Sequence, residues 1–195
     1  KFPDNQSDAY LLLKFDGNSV EEIQAGFDKV ADICLEQGAL DILYADTDER
    51  NDYIWKARGA FLEAIKASTT LMDEVDVVVP RNKVSEMIEF SHQLQDKIGI
   101  RIKSFGHAGD GNLHIYILKD DLADEEWKRR LSLAMDEMYR KARELNGQVS
   151  GEHGIGYAKK PYLNQSLEPE TLEIMRGIKT VFDPKNILNP GKVCQ

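Results

Sequence analysis

Ile100-Arg-Ile-Lys-Ser-Phe-Gly-His-Ala-Gly-Asp-Gly-Asn-Leu-His-Ile-Tyr-Ile-Leu118 is the stretch whose reading decides the fold. Ile100–Phe105 and Leu113–Leu118 read as two strands, and Ala108-Gly-Asp-Gly111 as the turn that joins them. A turn this short makes the strands antiparallel, with His107 and His114 flanking it.

Outward from this hairpin, strand and helix patterns alternate. Upstream, Ala9-Tyr-Leu-Leu-Leu-Lys-Phe15 is a short apolar run that reads as a strand, ended by Asp16-Gly17. Val20, Ile23, Phe27, Val30 and Cys34 follow at helical spacing, closed by Gly38. Asp41–Asp46 reads as a second strand, about Arg50 to Lys66 as a helix, and Val75–Val79 as a third strand stopped by Pro80. Val84, Met87, Ile88 and Leu94 mark another amphipathic helix.

Downstream, Trp127, Leu131, Ala134, Met138, Ala142 and Leu145 form a long helical stripe. Residues 146–160 are glycine-rich and irregular. A last helix starts near Pro169 and carries Leu172, Met175, Ile178 and Phe182. The tail Phe182-Asp-Pro-Lys-Asn-Ile-Leu-Asn-Pro-Gly-Lys192 is expected to lie extended. The pattern predicts an α+β sandwich, helices on one sheet face and the other face free to meet a second domain.

Composition bounds the function. The 195 residues suit one compact domain, or one domain with extensions, and 42% hydrophobic against 30% charged residues supports a packed core. A net charge of −9 argues against nucleic acid or anionic lipid as a partner. Two cysteines, Cys34 and Cys194, form no CxxC pair, which points to a reducing compartment and a cytoplasmic location. No apolar run reaches the ~20 residues of a membrane span, and no signal peptide is visible. Residues 1–8 read like a linker, so the chain is expected to be an excised domain or part of a longer one.

The chemistry gathers in two glycine-rich segments, 104–114 and 147–156. They hold seven of the 14 glycines and three of the four histidines. Glycine costs backbone entropy, so such clusters imply tight turns or close approach to a ligand. Facing residues across an antiparallel pair lie roughly 5 Å apart at Cβ, so His107 and His114 can converge on one ion. Glu152 can add an oxygen ligand, leaving coordination open for water or substrate.

Such a His/His/carboxylate set suits zinc, with manganese or iron as alternatives. The plainer alternative stands beside it: a Gly-Asp-Gly turn is ordinary hairpin chemistry, and either histidine can be a satisfied core residue. His153 follows Glu152 and titrates near neutrality, which suits a base; otherwise it only hydrogen-bonds within its loop. Arg58, three residues after Trp55, can grip a carboxylate in a bidentate fashion or be a plain surface charge. His92 reads as a solvated helix residue. Gly151-x-x-Gly-x-Gly156 is not the dinucleotide fingerprint, and no P-loop is present.

Gly106-His-Ala-Gly-Asp-Gly-Asn-Leu-His114, Gly151-Glu-His-Gly-Ile-Gly156 and Phe182-Asp-Pro-Lys-Asn-Ile-Leu-Asn-Pro-Gly-Lys192, in this order, resemble the C-terminal domain of FAD-linked oxidases. That family includes the glycolate oxidase FAD subunit, D-lactate dehydrogenase and D-2-hydroxyglutarate dehydrogenase. The resemblance spans essentially the whole chain. It implies a ferredoxin-like antiparallel sheet with helices, capping a separate N-terminal FAD-binding domain that this chain lacks. FAD is then held mainly by that other domain.

By the same resemblance His107, His114 and Glu152 are the metal ligands and His153 is the catalytic, substrate-side base. Arg58 holds the substrate carboxylate, and Asn189 lies near the flavin. The D-2-hydroxyglutarate enzymes also use a threonine, a lysine and an asparagine, where this chain has Leu62, Glu74 and Tyr116. A small monocarboxylate such as D-lactate or glycolate is therefore the expected substrate, oxidised to the 2-oxoacid by hydride transfer to FAD. Electrons would pass on to an electron-transfer flavoprotein, an iron–sulfur subunit, a quinone or oxygen. The alternatives are a flavin-free metal-dependent hydrolase and a non-catalytic cap or interaction domain with a structural metal.

Overall fold

The computed structural model describes Ser7 and residues 9–194, so all but one residue of the linker-like stretch 1–8 lies outside the described residues. The chain divides into two compact units, residues 1–59 and 60–195.

The first unit is built on two helices, α1 (Val20–Glu36) and α2 (Asp48–Gly59). Ser19 caps α1 by accepting the Glu22 N–H at 3.2 Å, and Glu21 and Glu22 complement the positive end of the helix dipole. Phe27 of α1 touches Phe15 edge-on, with ring centroids 6.0 Å apart, and Tyr44 at 5.1 Å. The two strands expected here are not formed: among the described residues, neither 9–15 nor 41–46 pairs with another strand. Their rings lean on α1 while Leu11, Leu12 and Leu13 stay exposed. An apolar run records a wish for burial, but a strand also needs a partner for its backbone groups.

The helix expected over 50–66 is two helices, because α3 (Phe61–Ala67) starts afresh after Gly59 and Ala60. Glycine is a poor helix interior residue, and the unit boundary falls at this point.

The second unit carries the sheet. Strands β1 (Met72–Val78), β2 (Arg101–His107) and β3 (Asn112–Leu118) lie in the order β1-β3-β2, all neighbours antiparallel. α4 (Val84–Ile98) crosses over between β1 and β2, and α5 (Asp124–Glu144) follows β3. After α5, Gln148 exchanges both backbone hydrogen bonds with Val78, at 3.2 and 2.8 Å, on the free edge of β1. Strand, helix, hairpin, helix and a rudimentary fourth strand beside the first make this an α+β, ferredoxin-like unit.

Period two separates the sheet's faces. Val75, Val77, Leu113, Ile115, Ile117 and Ile102 share one face and pack with Met87 and Leu94 of α4 and with Trp127, Ala134, Met138 and Ala142 of α5. α4 stops at Gly99, whose left-handed φ of 69° lets its N–H reach Gln95 O at 2.8 Å. α5 has Asp124, Glu125 and Glu126 in its first turn and Lys141 and Arg143 in its last, matching its dipole.

Beyond residue 147, α6 (Lys160–Ser166) was not anticipated, whereas α7 (Pro169–Phe182) spans the residues expected. The tail is not extended. Asp183 accepts the N–H groups of Ile187 and Leu188 and pairs with Lys179, and Asn186, Asn189 and Val193 all adopt positive φ. Asparagine tolerates this region, so the run folds into turns. Val193 N–H then returns to Gly156 O at 2.8 Å, tying the tail to the glycine loop. Among the described residues no helix is long and apolar enough to cross a membrane.

Ile115 is fully buried at the centre of the middle strand. Ile115→Ala removes a side chain from the buried cluster that includes residues of α4 and α5, and should cost about 2–5 kcal/mol in denaturant unfolding. A cost below about 1 kcal/mol would show that this face is not the core.

Candidate functional site

The face opposite the helices is polar where the other is apolar. β1 contributes Glu74 and Asp76, β3 contributes Asn112, His114 and Tyr116, and β2 contributes Phe105 and His107. Register pairs Asp76 and Phe105 with His114, and Glu74 with Tyr116. Facing pairs in an antiparallel sheet project to the same side, so these side chains form one patch.

The hairpin turn closes tightly beneath this patch. Gly111 has φ of 77°, and a Cβ there would sit 1.9 Å from Val79 O, so no other residue fits without moving the strand.

The second glycine segment is brought onto the same face by Asp76. This aspartate is completely buried, and its Oδ2 accepts the Ser150 hydroxyl at 2.9 Å and the backbone N–H groups of Gly151, Glu152 and His153 at 3.2, 3.4 and 3.0 Å. Lys159 Nζ adds a charge-assisted bond at 3.0 Å. Burial alone would raise the Asp76 pKa, but the His153 N–H, Lys159 and Ser150 outweigh it and bring it from 3.8 down to about 2. Gly151 must lack a side chain, since a Cβ would meet Asn112 Oδ1 at 2.1 Å and Asp76 Oδ1 at 2.9 Å.

Held this way, the loop presents Glu152 and His153 to the sheet. His114 Nε2 lies 2.9 Å from Glu152 Oε1, and His114 Nδ1 lies 2.9 Å from Glu74 Oε1. His153 Nδ1 is 3.5 Å from the same Glu74 oxygen, and its Nε2 is 3.9 Å from Glu152 Oε1. The His107 and His114 rings are 6.0 Å apart, edge to face, and the His114 and His153 rings 5.1 Å apart. One ligand atom each from His107, His114 and Glu152 lies within 4.8 Å of the others, and so does one each from Glu74, His114 and His153.

Carboxylates only accept hydrogen bonds. An imidazole between two of them can donate an N–H to one and turn its other nitrogen to a proton or a cation shared with the second. Phe105 and Tyr116 wall the cluster, stacked at 5.4 Å, with Phe105 also 5.6 Å from the His114 ring. The Tyr116 hydroxyl is pushed well above the ordinary phenol range by burial, then by the charge of Glu74 and a hydrogen bond to it.

His107, His114, Glu152 and His153, chosen from sequence, thus come together. Arg58 is exposed on α2 of the first unit, and Asn189 is exposed on the tail. His92 is exposed on α4, as expected. Glu74, noted from sequence only as a departure from the D-2-hydroxyglutarate enzymes, and Asp76, which was not singled out, also belong to the site. Their signal was the alternation Glu74-Val-Asp-Val77, which sets two acids on the face opposite the core; a strand begun at Val75 leaves the first of them out.

The sequence matches the family model described as FAD linked oxidases, C-terminal domain, over residues 1–193. The chain belongs to this family. It is 50% identical over 186 residues to the D-lactate dehydrogenase of Anaerostipes hadrus, covering 95% of this chain and 39% of that protein. It is 37% identical over 187 residues to glycolate oxidase subunit GlcD of Bacillus subtilis, with 95% and 39% covered. The D-2-hydroxyglutarate dehydrogenase of Stutzerimonas stutzeri is 32% identical over 191 residues, with 94% and 40% covered. The chain therefore spans about two fifths of the length of these relatives.

The depressed Asp76 pKa has a defined pH consequence. A carboxyl whose pKa is lower in the folded than in the unfolded state stabilises the fold above pH 3.8 and loses that contribution as pH falls toward about 2. Asp76→Asn should lower stability at neutral pH by on the order of 2 kcal/mol, and the gap to wild type should close between about pH 4 and pH 2. Thermal unfolding of both proteins across that range checks it; a gap that is constant with pH would remove the charge from the argument.

Proposed function

We propose that this chain is the substrate- and metal-binding part of an FAD-dependent 2-hydroxyacid dehydrogenase that oxidises a small 2-hydroxyacid to the 2-oxoacid. The observation that carries the proposal is the convergence of His107, His114 and Glu152 beside His153, in a chain of the FAD-linked oxidase C-terminal family. Two imidazoles and a carboxylate suit a divalent metal such as zinc, manganese or iron, and the short His114–Glu152 approach is a place where a cation can replace a proton. FAD is assigned to the larger part of the enzyme that the relatives possess beyond this span.

When bound, the metal would polarise the substrate's 2-hydroxyl and the flavin would accept the hydride. The chain's own residues do the rest. His107, His114 and Glu152 hold the metal. His153, exposed on its loop, takes the hydroxyl proton. Arg58 is assigned to the substrate carboxylate, because a guanidinium can bind it through two parallel hydrogen bonds. Asn189 is assigned to the flavin side.

A monocarboxylate such as D-lactate or glycolate is favoured over a dicarboxylate. Glu74 and Tyr116 occupy the site face and bond to each other, so a second substrate carboxylate would meet a negative charge. A protein acceptor such as an electron-transfer flavoprotein or an iron–sulfur subunit would take up the electrons released.

Elemental analysis of the purified protein tests the metal site: near-stoichiometric metal is expected, and its loss in His107→Ala. Metal retained by His107→Ala would overturn the ligand set. In the complete enzyme, His153→Ala should lower kcat with D-lactate by about 10²–10⁴-fold while FAD stays bound. Wild-type turnover in that variant would sink the base assignment.

A further inference from the structure

His114 is the residue shared by both candidate ligand sets, and its Nδ1 faces Glu74 while its Nε2 faces Glu152. We infer that Glu74 is a positioning residue: its carboxylate accepts the Nδ1–H of His114, with His153 Nδ1 facing the same oxygen, and so turns the Nε2 lone pair of His114 toward Glu152. The inference deepens the metal and base assignments above and rests on them for its purpose, though not for its geometry.

Three observations carry it. Glu74 Oε1 lies at hydrogen-bond distance, 2.9 Å, from His114 Nδ1, and the Nδ1 of His153 faces the same oxygen at 3.5 Å. The opposite nitrogens, His114 Nε2 and His153 Nε2, lie 2.9 and 3.9 Å from one oxygen of Glu152. The two rings therefore point the same way, Nδ1 toward β1 and Nε2 toward the loop carboxylate. Finally, Tyr116 is the register partner of Glu74 on the same face, and the charge of Glu74 helps to keep its hydroxyl protonated.

The chemistry follows from imidazole tautomerism. A neutral ring has one donor and one acceptor nitrogen, and the partner of the first decides the role of the second. With Nδ1–H held by Glu74, the Nε2 lone pair of His114 is free for a metal shared with His107 and Glu152. The Nδ1 of His153 faces the same carboxylate, which favours a proton on that nitrogen and leaves Nε2 toward the site. A carboxylate behind a ligating histidine in this way orients the ring and raises its basicity. Under this assignment Glu74 is not itself a ligand.

Two measurements test it, one of them without metal. Nitrogen-15 imidazole spectra of the metal-free protein at mildly alkaline pH should show His114 with its proton on Nδ1, and Glu74→Leu should move that proton to Nε2 for a substantial fraction of molecules. A wild-type ring protonated on Nε2 alone, or no change in Glu74→Leu, would overturn the inference.

Zinc titration then separates positioning from ligation. Glu74→Gln keeps an acceptor oxygen and should hold zinc within a few-fold of wild type, while Glu74→Leu should lose about 10–100-fold. Equal, large losses in both variants would make Glu74 a ligand and also overturn it. The Gln variant reports whether the fold tolerates loss of the charge. Failure of the wild-type protein to take up zinc, manganese or iron would refute the metal assignment, and the tautomer result would still decide the role of Glu74.

Discussion

The carboxylate of Asp76 is the interaction on which the site depends. It lies on the middle of an edge strand with no exposure to solvent, and one of its oxygens gathers a hydroxyl, three successive backbone N–H groups and an ammonium. A buried charge is tolerated only with such partners. The loop 150–153 supplies them, and in doing so it acquires a conformation that its glycine-rich sequence would not hold alone. Glu152 and His153 are consequences of this anchoring, because both are exposed on a loop with no regular secondary structure of its own.

The sheet divides two tasks between its faces. Branched aliphatic side chains on one face bind the helices α4 and α5, giving a rigid platform. The alternate positions of the same strands then carry acids, imidazoles and aromatic rings at spacings fixed by the backbone ladder. This is why His107 and His114, seven residues apart across a turn, can approach each other without any helical spacing rule. Regular elements hold chemical groups more accurately than loops do, and here only one half of the cluster comes from a loop, itself pinned to the sheet.

Charge balance within the cluster is unusual for a structural patch. Glu74, Asp76 and Glu152 lie among three histidines, and the ammonium of Lys159 is committed to Asp76. Phe105 and Tyr116 shield one side, which strengthens each electrostatic interaction there. Such an arrangement favours protons or a cation between acceptors, and it raises the Tyr116 hydroxyl far from any state in which it could ionise. Tyr116 therefore stays protonated beside Glu74 and is not suited to act as an acid or base.

Periodicity and turn chemistry in the sequence determined the hairpin, the helices α1, α4, α5 and α7, and the apolar face of the sheet, because each of these is specified by neighbours a few residues apart. The motifs also named four of the residues that meet in the cluster. The first two expected strands failed, and the tail folded into turns, because pairing partners and side-chain anchors such as Asp183 are not written into local pattern. Only the tertiary structure decided that Glu74 and Asp76 face the glycine loop, since β1 and residues 150–153 lie more than 70 positions apart and nothing local records their contact. A strand's alternation says that two acids share a face; which groups they meet there is fixed by the sheet order and by the way the chain returns after α5.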